Sequence, residues 1–494
     1  MSPSGCPRPP ASNNSRLPHD RTTIVTATQP RPTERAEALP VPGSDLPAVE
    51  RRAVLPAGFV AGGATAGIKA SGRPDLAVIA TVAGPDGRVP AAAAAVFTPN
   101  AFAAAPVRLS RANLAATEPA GGGRYGWVDG LVSTSGSANA ATGADGDADQ
   151  AAIAGTFAAA LGTGPERTVA FSTGIIGTRL PLDRVLPGID RIVADGLTTE
   201  DAGLEAAAVA LRTTDSRTKL ATTTVELPGA DGRPVTVTVS GIAKGVGMIH
   251  PRMATMLAAV LTDATLEPAV ASGLLRPAAA RTWDQLSVDG DTSTNDTVFL
   301  LASGAAGALS VAAGSAEART LGLAIEAVGR DLARQQAADG EGATTLITCL
   351  VTGAADDADA RAVARSIVSS SLVKAAVHGR DPNWGRLVGA AGNARLADAA
   401  VLAAAGLSEP EASARAGRPV AIDPGRLRVA IAGTLVFDGP TGGPAVFDKA
   451  AVRAAMDAPE CLFRLDLGAG DGTGEAFGCD LTEAYVRENS EYTT

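Results

Sequence analysis

The stretch KGVGMIHPRMATMLAAVL, residues 244–261, decides how the chain is read. Its end, TMLAAVL, is an apolar run of strand length and reads as a strand entering the core. Its start is rich in Gly and Met and puts a small residue, Ala254, directly before a hydroxyl residue, Thr255. A threonine hydroxyl is a poor nucleophile without a base. It gains one if the threonine starts a chain. The freed α-amine titrates at about 7.7–8.0 and can take the hydroxyl proton. An internal threonine reaches that state by cutting the chain before itself. Its Oγ attacks the preceding carbonyl, and water hydrolyses the ester that results. Ala254 permits the close backbone approach, and Gly245 and Gly247 let the segment bend. The residues alone leave both readings open, a buried strand or a self-cleavage segment.

The bulk composition narrows the function classes. A chain of 494 residues suggests two or three packed units. Aromatic residues are only 3%, so a core must rest on Ala, Val, Leu and Ile. The formal net charge of -10 argues against a nucleic-acid partner. Cys6, Cys349, Cys461 and Cys479 form no CxxC pair and read as reduced thiols. With only His19, His250 and His378 beside them, no metal site is expected. The Ala-rich run at 91–105 is interrupted by Pro99 and Asn100, so it does not read as a membrane span. The N-terminus shows no apolar signal core. These features point to the cytoplasm, and a plastid or mitochondrial matrix would fit them too.

Residues 1–52 are rich in Pro, Ser, Thr, Asn and Arg without periodicity and read as a disordered extension. Order is expected from about 58. Strands are expected at 75–83, 166–174, 296–304, 344–354, 426–439 and 461–468. Residues 222–244 read as two strands around an Asp-Gly turn. Helices are expected at 147–162, about 267–282, about 316–336, 448–459, and as one long helix over about 358–377. The mixture lacks a regular βαβ rhythm. It predicts an α+β fold of sheets covered by helices. The Gly-rich GAGDGTGEAFG at 468–478 follows a strand but lacks the helix of a dinucleotide fingerprint.

Several segments, in order, carry a resemblance. They are GFVAGGATAGIK (58–69), AVFTPNAFAAAPV (95–107), STGIIGTRLP (172–181), KGVGMIHPRMATMLAAVLTDA (244–264) and SVDGDTSTNDT (287–297). GEGAT (340–344), GRDPNWGR (379–386) and GCDLTEAYVRENSEYTT (478–494) follow. Together they resemble the ornithine acetyltransferase family, also called glutamate N-acetyltransferases. The resemblance covers about 58–494. It implies a fold of stacked β-sheets flanked by helices, similar to the sandwich of related self-processing aminopeptidases. It implies cleavage between Ala254 and Thr255, giving an α chain (53–254 after the extension) and a β chain of 255–494 in an α2β2 assembly. Thr255 would then be the nucleophile of a ping-pong transfer of acetyl from N-acetylornithine to glutamate. No cofactor is implied, although acetyl-CoA could serve as a second acetyl donor.

The same resemblance implies roles for single residues. Thr173 and Gly174 would form the oxyanion hole. Ser216, Lys244, Thr255, Glu341, Asn489 and Thr494 would contact substrate. A lysine suits an α-carboxylate as a point charge, and Glu341 suits an ammonium of ornithine. Asn295 and Asp296 are expected behind the site, and His378 is expected to be a hydrogen-bonded structural histidine. The chain departs from the family's usual wording at Ser216, Val246, Arg252, Thr345 and TSGSANA (134–140), and its hairpin at 228–234 is longer. These departures bear on substrate preference and leave the nucleophile and oxyanion donors in place. An amidohydrolase or aminopeptidase that passes the acyl group or amine to water is the alternative enzyme. A binding protein that keeps the fold is the alternative without catalysis.

Overall fold

The structure, a computed structural model, describes residues 46–85, 87–249 and 256–490. Ala254, Thr255 and Thr494 therefore lie outside the described residues, as do residues 1–45.

A six-stranded sheet forms the middle layer. Its order is Tyr125–Val128, Ala91–Phe97, Thr297–Ala302, Leu257–Thr262, Pro234–Lys244, Lys219–Pro228. All neighbours are antiparallel except Leu257–Thr262 and Thr297–Ala302, which run parallel with Leu257 opposite Thr297. Both faces are buried, and the alternation is plain. Ala93, Ala259 and Phe299 belong to one core, and Ala94, Ala258 and Val298 belong to the other. A strand buried on both faces needs no polar side, which explains the unbroken apolar runs AAAAAVF and LAAVLT.

On one face lies a four-stranded sheet, ordered Phe59–Ala64, Leu76–Thr81, Gly130–Ser137, Thr168–Ile175. The helix Asp201–Leu211 packs into the same core through Leu204, Ala207 and Leu211. The far side of that sheet is covered by Gly143–Leu161 and Leu182–Asp195, through Phe157 and Ile189 among others. The other face of the middle sheet carries the helices Pro268–Arg281 and Ala316–Ala338. A third, seven-stranded sheet follows, held to Ala316–Ala338 partly by the pairs Arg330–Glu475 and Arg334–Glu460. Its outer face is covered by Asp357–Ser369 and its neighbours. The expected α+β architecture of stacked, helix-flanked sheets is what the chain forms.

Two expectations need correction. Residues 46–52, assigned to a disordered extension, are tied into the fold. Glu50 exchanges backbone hydrogen bonds of 2.8 Å with Thr222, and Arg51 pairs with Asp331 at 2.8 Å. The long helix over 358–377 is two helices, Asp357–Ser369 and Ser371–His378. Ser370 breaks it, because its side chain accepts from the Val373 N–H and caps the second helix. The Ala-rich run was read only as not membrane-spanning, and it is the central strand Ala91–Phe97. The Gly-rich 468–478 segment is mostly the strand Gly472–Cys479. A Cβ on Gly472 or Gly474 would stand 2.2 or 2.5 Å from the backbone of Asp356 or Arg361. Those glycines let a helix lie directly on the strand.

Candidate active site

The ends of the four-stranded and six-stranded sheets open on a cavity of about 320 Å³. Thr173 and Gly174 reach it from the strand Thr168–Ile175, and Lys244 from the last residue of Pro234–Lys244. Ser293, Thr294 and Asn295 come from the loop before Thr297–Ala302. Glu341 comes from the loop before the strand Leu346–Ala354, and Asn489 from the C-terminal helix Glu483–Ser490. Five sequence-expected residues thus share one cavity: Thr173, Gly174, Lys244, Glu341 and Asn489.

Lys244 is buried, and its Nζ donates to Thr173 Oγ1 at 3.0 Å. That bond occupies an acceptor site on Thr173 and leaves the hydroxyl proton to point elsewhere. Burial pushes the Lys244 ammonium below its ordinary range, and the charge of Asp215 works against that shift. Asp215 is also fully buried. Burial opposes its ionisation, but Lys219 and Lys244, with hydrogen bonds from Lys219 and the Gly245 N–H, outweigh it and hold the carboxyl far below the usual range. Gly174 sits at φ 134°, where a Cβ would lie 2.3 Å from the carbonyl carbon of Gly136. Only glycine fits that close approach between the two strand ends.

Glu341 is held by its backbone and both oxygens. Its N–H donates to Val246 O at 2.7 Å. Thr214 Oγ1 donates to Oε1 at 3.0 Å, and Asn489 Nδ2 donates to Oε2 at 3.0 Å. A Cβ at Gly247 would lie 2.2 Å from Oε2, so the bare glycine makes room for the carboxylate. Glu341 is therefore a fixed anion in the cavity, suited to a cation.

Asn295 spends its amide on the backbone, donating to Ala138 O at 2.7 Å and Ser172 O at 2.8 Å. It locks the loop to the strand that carries Thr173. Asp296 is buried and accepts from the Met256 N–H at 3.1 Å, while Thr297 N–H donates to Met256 O at 3.1 Å. Met256, which lies between Thr255 and the strand Leu257–Thr262, is thus held through both its N–H and its carbonyl by the neighbouring segment. Burial pushes the Asp296 carboxyl well above its ordinary range, against hydrogen bonds from Met256 and Ser293 and the charge of Lys244.

Ser216 is not among the cavity-lining residues. Its hydroxyl and its N–H both donate to Asp339. Asp339 also meets Lys219 Nζ at 2.8 Å, within the buried pairings of Lys219 with Asp215 and Asp339. The hydroxyl residues that reach the cavity from this loop are Thr213 and Thr214. The sequence reading missed both. TTDSRTK carries no signal that separates its hydroxyls; in the structure Asp215 and Lys219 pair inside the fold, and the residues before Asp215 reach the opening. The apolar part of the cavity is formed by Ala138, Ile175, Ile176, Val246 and Met248, none of which was assigned a contact from sequence, although Val246 and the 134–140 segment were noted as departures. His378 is hydrogen-bonded at both ring nitrogens, to Asp480 at 3.2 Å and Glu483 at 3.1 Å, and stands outside the cavity.

Comparison with known proteins bears on identity. The family model described as "ArgJ family" matches residues 60–494. A protein of Symbiobacterium thermophilum called arginine biosynthesis bifunctional protein ArgJ is 43% identical over 441 residues, covering 89% of this chain and 98% of its own. Its counterpart of the same name in Thermosynechococcus vestitus is 42% identical over 438 residues, with 88% and 96% covered. A solved ornithine acetyltransferase from Mycobacterium tuberculosis, complexed with ornithine, is 38% identical and covers 41% of this chain and 97% of its own, with a TM-score of 0.35.

Proposed function

The chain belongs to the ArgJ family, and from that premise we propose that it is a self-cleaving acetyltransferase that carries acetyl from N2-acetyl-L-ornithine to L-glutamate. The relatives' names support a place in arginine biosynthesis. The observation that carries the chemistry is the single cavity that joins Thr173, Gly174, Lys244, Glu341 and Asn489, close to the strand that begins two residues after Thr255.

Self-cleavage comes first. Thr255 Oγ attacks the Ala254 carbonyl carbon, the C–N bond breaks, and the nitrogen takes a proton. Water hydrolyses the ester, leaving a carboxylate on Ala254 and a free amine on Thr255. In the transfer, that amine takes the hydroxyl proton while Oγ attacks the acetyl carbonyl. The tetrahedral oxyanion is met by Thr173 and the Gly174 N–H, donors whose loss costs about a hundredfold or more in comparable sites. Ornithine leaves with a proton on its α-nitrogen, and the acetyl group stays as an ester on Thr255. The glutamate amine then attacks that ester and restores the hydroxyl. Lys244 holds the substrate α-carboxylate, and Glu341, steadied by Thr214 and Asn489, meets the δ-ammonium of ornithine. Thr494 is assigned to the same site by sequence alone. The fragments remain paired in an α2β2 assembly in the cytoplasm. Among the described residues no helix is long and apolar enough to cross a membrane.

The test is transfer of labelled acetyl from N-acetylornithine to glutamate, with the half-reaction stopped and the β chain weighed. Label on Thr255 and in N-acetylglutamate is the expected result. Label in acetate alone would favour the amidohydrolase. The word bifunctional in the relatives' names supports a second reading, in which acetyl-CoA also charges Thr255. Label passing from acetyl-CoA to glutamate would establish it.

A further inference from the structure

We propose that His378 is a positioning residue for the substrate: from outside the cavity it pins the C-terminal segment so that Asn489 meets Glu341. The inference rests on the reading of Glu341 and Asn489 as substrate contacts.

The helix Glu483–Ser490 has no buried residue. Apolar packing therefore does little to fix it, and polar contacts set where Asn489 lies. Thr482 Oγ1 accepts from the Tyr485 N–H at 3.2 Å and donates to Gly342 O at 2.8 Å. The Tyr485 side chain hydrogen-bonds Asp289. A further anchor is His378, at the end of the helix Ser371–His378. Its Nδ1 faces Asp480 Oδ2 at 3.2 Å and its Nε2 faces Glu483 Oε2 at 3.1 Å. Both partners sit at the foot of the C-terminal helix.

Asp480 ties this anchor to Glu341. It is buried, and its Oδ1 accepts from the Thr344 N–H at 2.8 Å and the Thr345 N–H at 2.9 Å. Its Oδ2 accepts from Thr344 Oγ1 at 2.6 Å. That loop carries Glu341. One carboxylate therefore holds the loop that carries Glu341, and the histidine bound to it holds the helix that carries Asn489. Lys374, one turn before His378, is buried and donates to Cys479 O at 2.8 Å and Ser287 O at 3.0 Å, steadying the same segment from below. His378 does not touch the cavity, and its influence passes through Asn489.

The experiment is steady-state transfer by the processed enzyme for H378A, H378N, N489A and the double variant H378A/N489A. H378A is expected to raise KM for N-acetylornithine about tenfold, the scale of one lost hydrogen bond, with kcat within about twofold and self-cleavage complete. H378N, which keeps a donor toward Asp480, is expected to recover most of the loss. The double variant is expected to be no worse than N489A. A wild-type KM in H378A, or losses that multiply in the double variant, would overturn the proposal. If H378A does not fold, the same comparison is made with E483A, which removes the exposed carboxylate that His378 Nε2 holds. Amide exchange in residues 483–490 separates this proposal from the functional reading. Faster exchange in H378A is expected whether or not acetyl is transferred, and unchanged exchange refutes the anchor even in an active enzyme.

Discussion

Gly247 occupies a place where any side chain would collide with Glu341 Oε2, 2.2 Å from the ideal Cβ. Its φ does not fall in the left-handed region, so alanine brings no backbone strain there. Gly247→Ala should therefore leave the melting temperature nearly unchanged and lower kcat/KM for N-acetylornithine roughly ten- to hundredfold by displacing one carboxylate. Thermal unfolding beside steady-state kinetics checks both halves. Asp296 gives a second prediction. Its folded pKa lies above the unfolded value of about 3.9, so its contribution to stability is full below that pH and is lost as pH rises toward the folded value. Asp296→Asn stays neutral and keeps an oxygen for the Met256 N–H. Urea midpoints of wild type relative to Asp296→Asn should fall on raising pH above about 4, with a slope of up to about 1.4 kcal/mol per pH unit, then level off. A flat difference would mean that this carboxyl ionises freely. At this scale Lys244 and Glu341 were legible only through the family resemblance, and both line the cavity. The resemblance misled at Ser216, because a string of residues does not say which hydroxyl turns inward to Asp339 and which faces the cavity.

Strand Ala91–Phe97 shows why elements were read unevenly. Alanine has little intrinsic preference for strands, so local pattern gave no sign of one. The run becomes a strand because two cores close on it, with Ala93 facing the four-stranded sheet and Ala94 facing the helices. Short side chains on both faces leave no spare volume. Ala93→Leu should cost about 1–3 kcal/mol by overpacking, read from urea unfolding of the processed protein. A neutral outcome would mean slack between the layers. Elements with strong local signals were found nearly in full. The hairpin Lys219–Pro228 and Pro234–Lys244 carries alternating side chains around its turn, and Ala316–Ala338 carries an N-cap at Ser315. The break at Ser370 was missed because three consecutive serines can lie within a helix or cap a new one. The choice is made by packing on the seven-stranded sheet.

Across the whole molecule, the cavity collects segments that are far apart in sequence. Thr173, Lys244, Asn295, Glu341 and Asn489 come from the ends of different strands, loops and helices, and only the stacking of sheets brings them together. The sequence named most of them through resemblance, and their proximity could not be read from spacing. The same stacking binds the two sides of the proposed cut. Lys244 pairs with Leu257 and Ser240 with Leu261, so strands from before and after residues 254–255 are hydrogen-bonded neighbours inside one doubly buried sheet. A cut there would leave the core intact, and the fragments should part only on unfolding. The central claim is that Thr255 cuts the chain before itself and then serves as nucleophile. Its most direct test is the mass of purified wild type and Thr255→Ala, taken under native and denaturing conditions. The account predicts that wild type travels as one native particle and separates on denaturation into two fragments, the second beginning at Thr255, while Thr255→Ala stays a single chain. An uncut wild type, or a Thr255→Ala variant cut at the same bond, would contradict it.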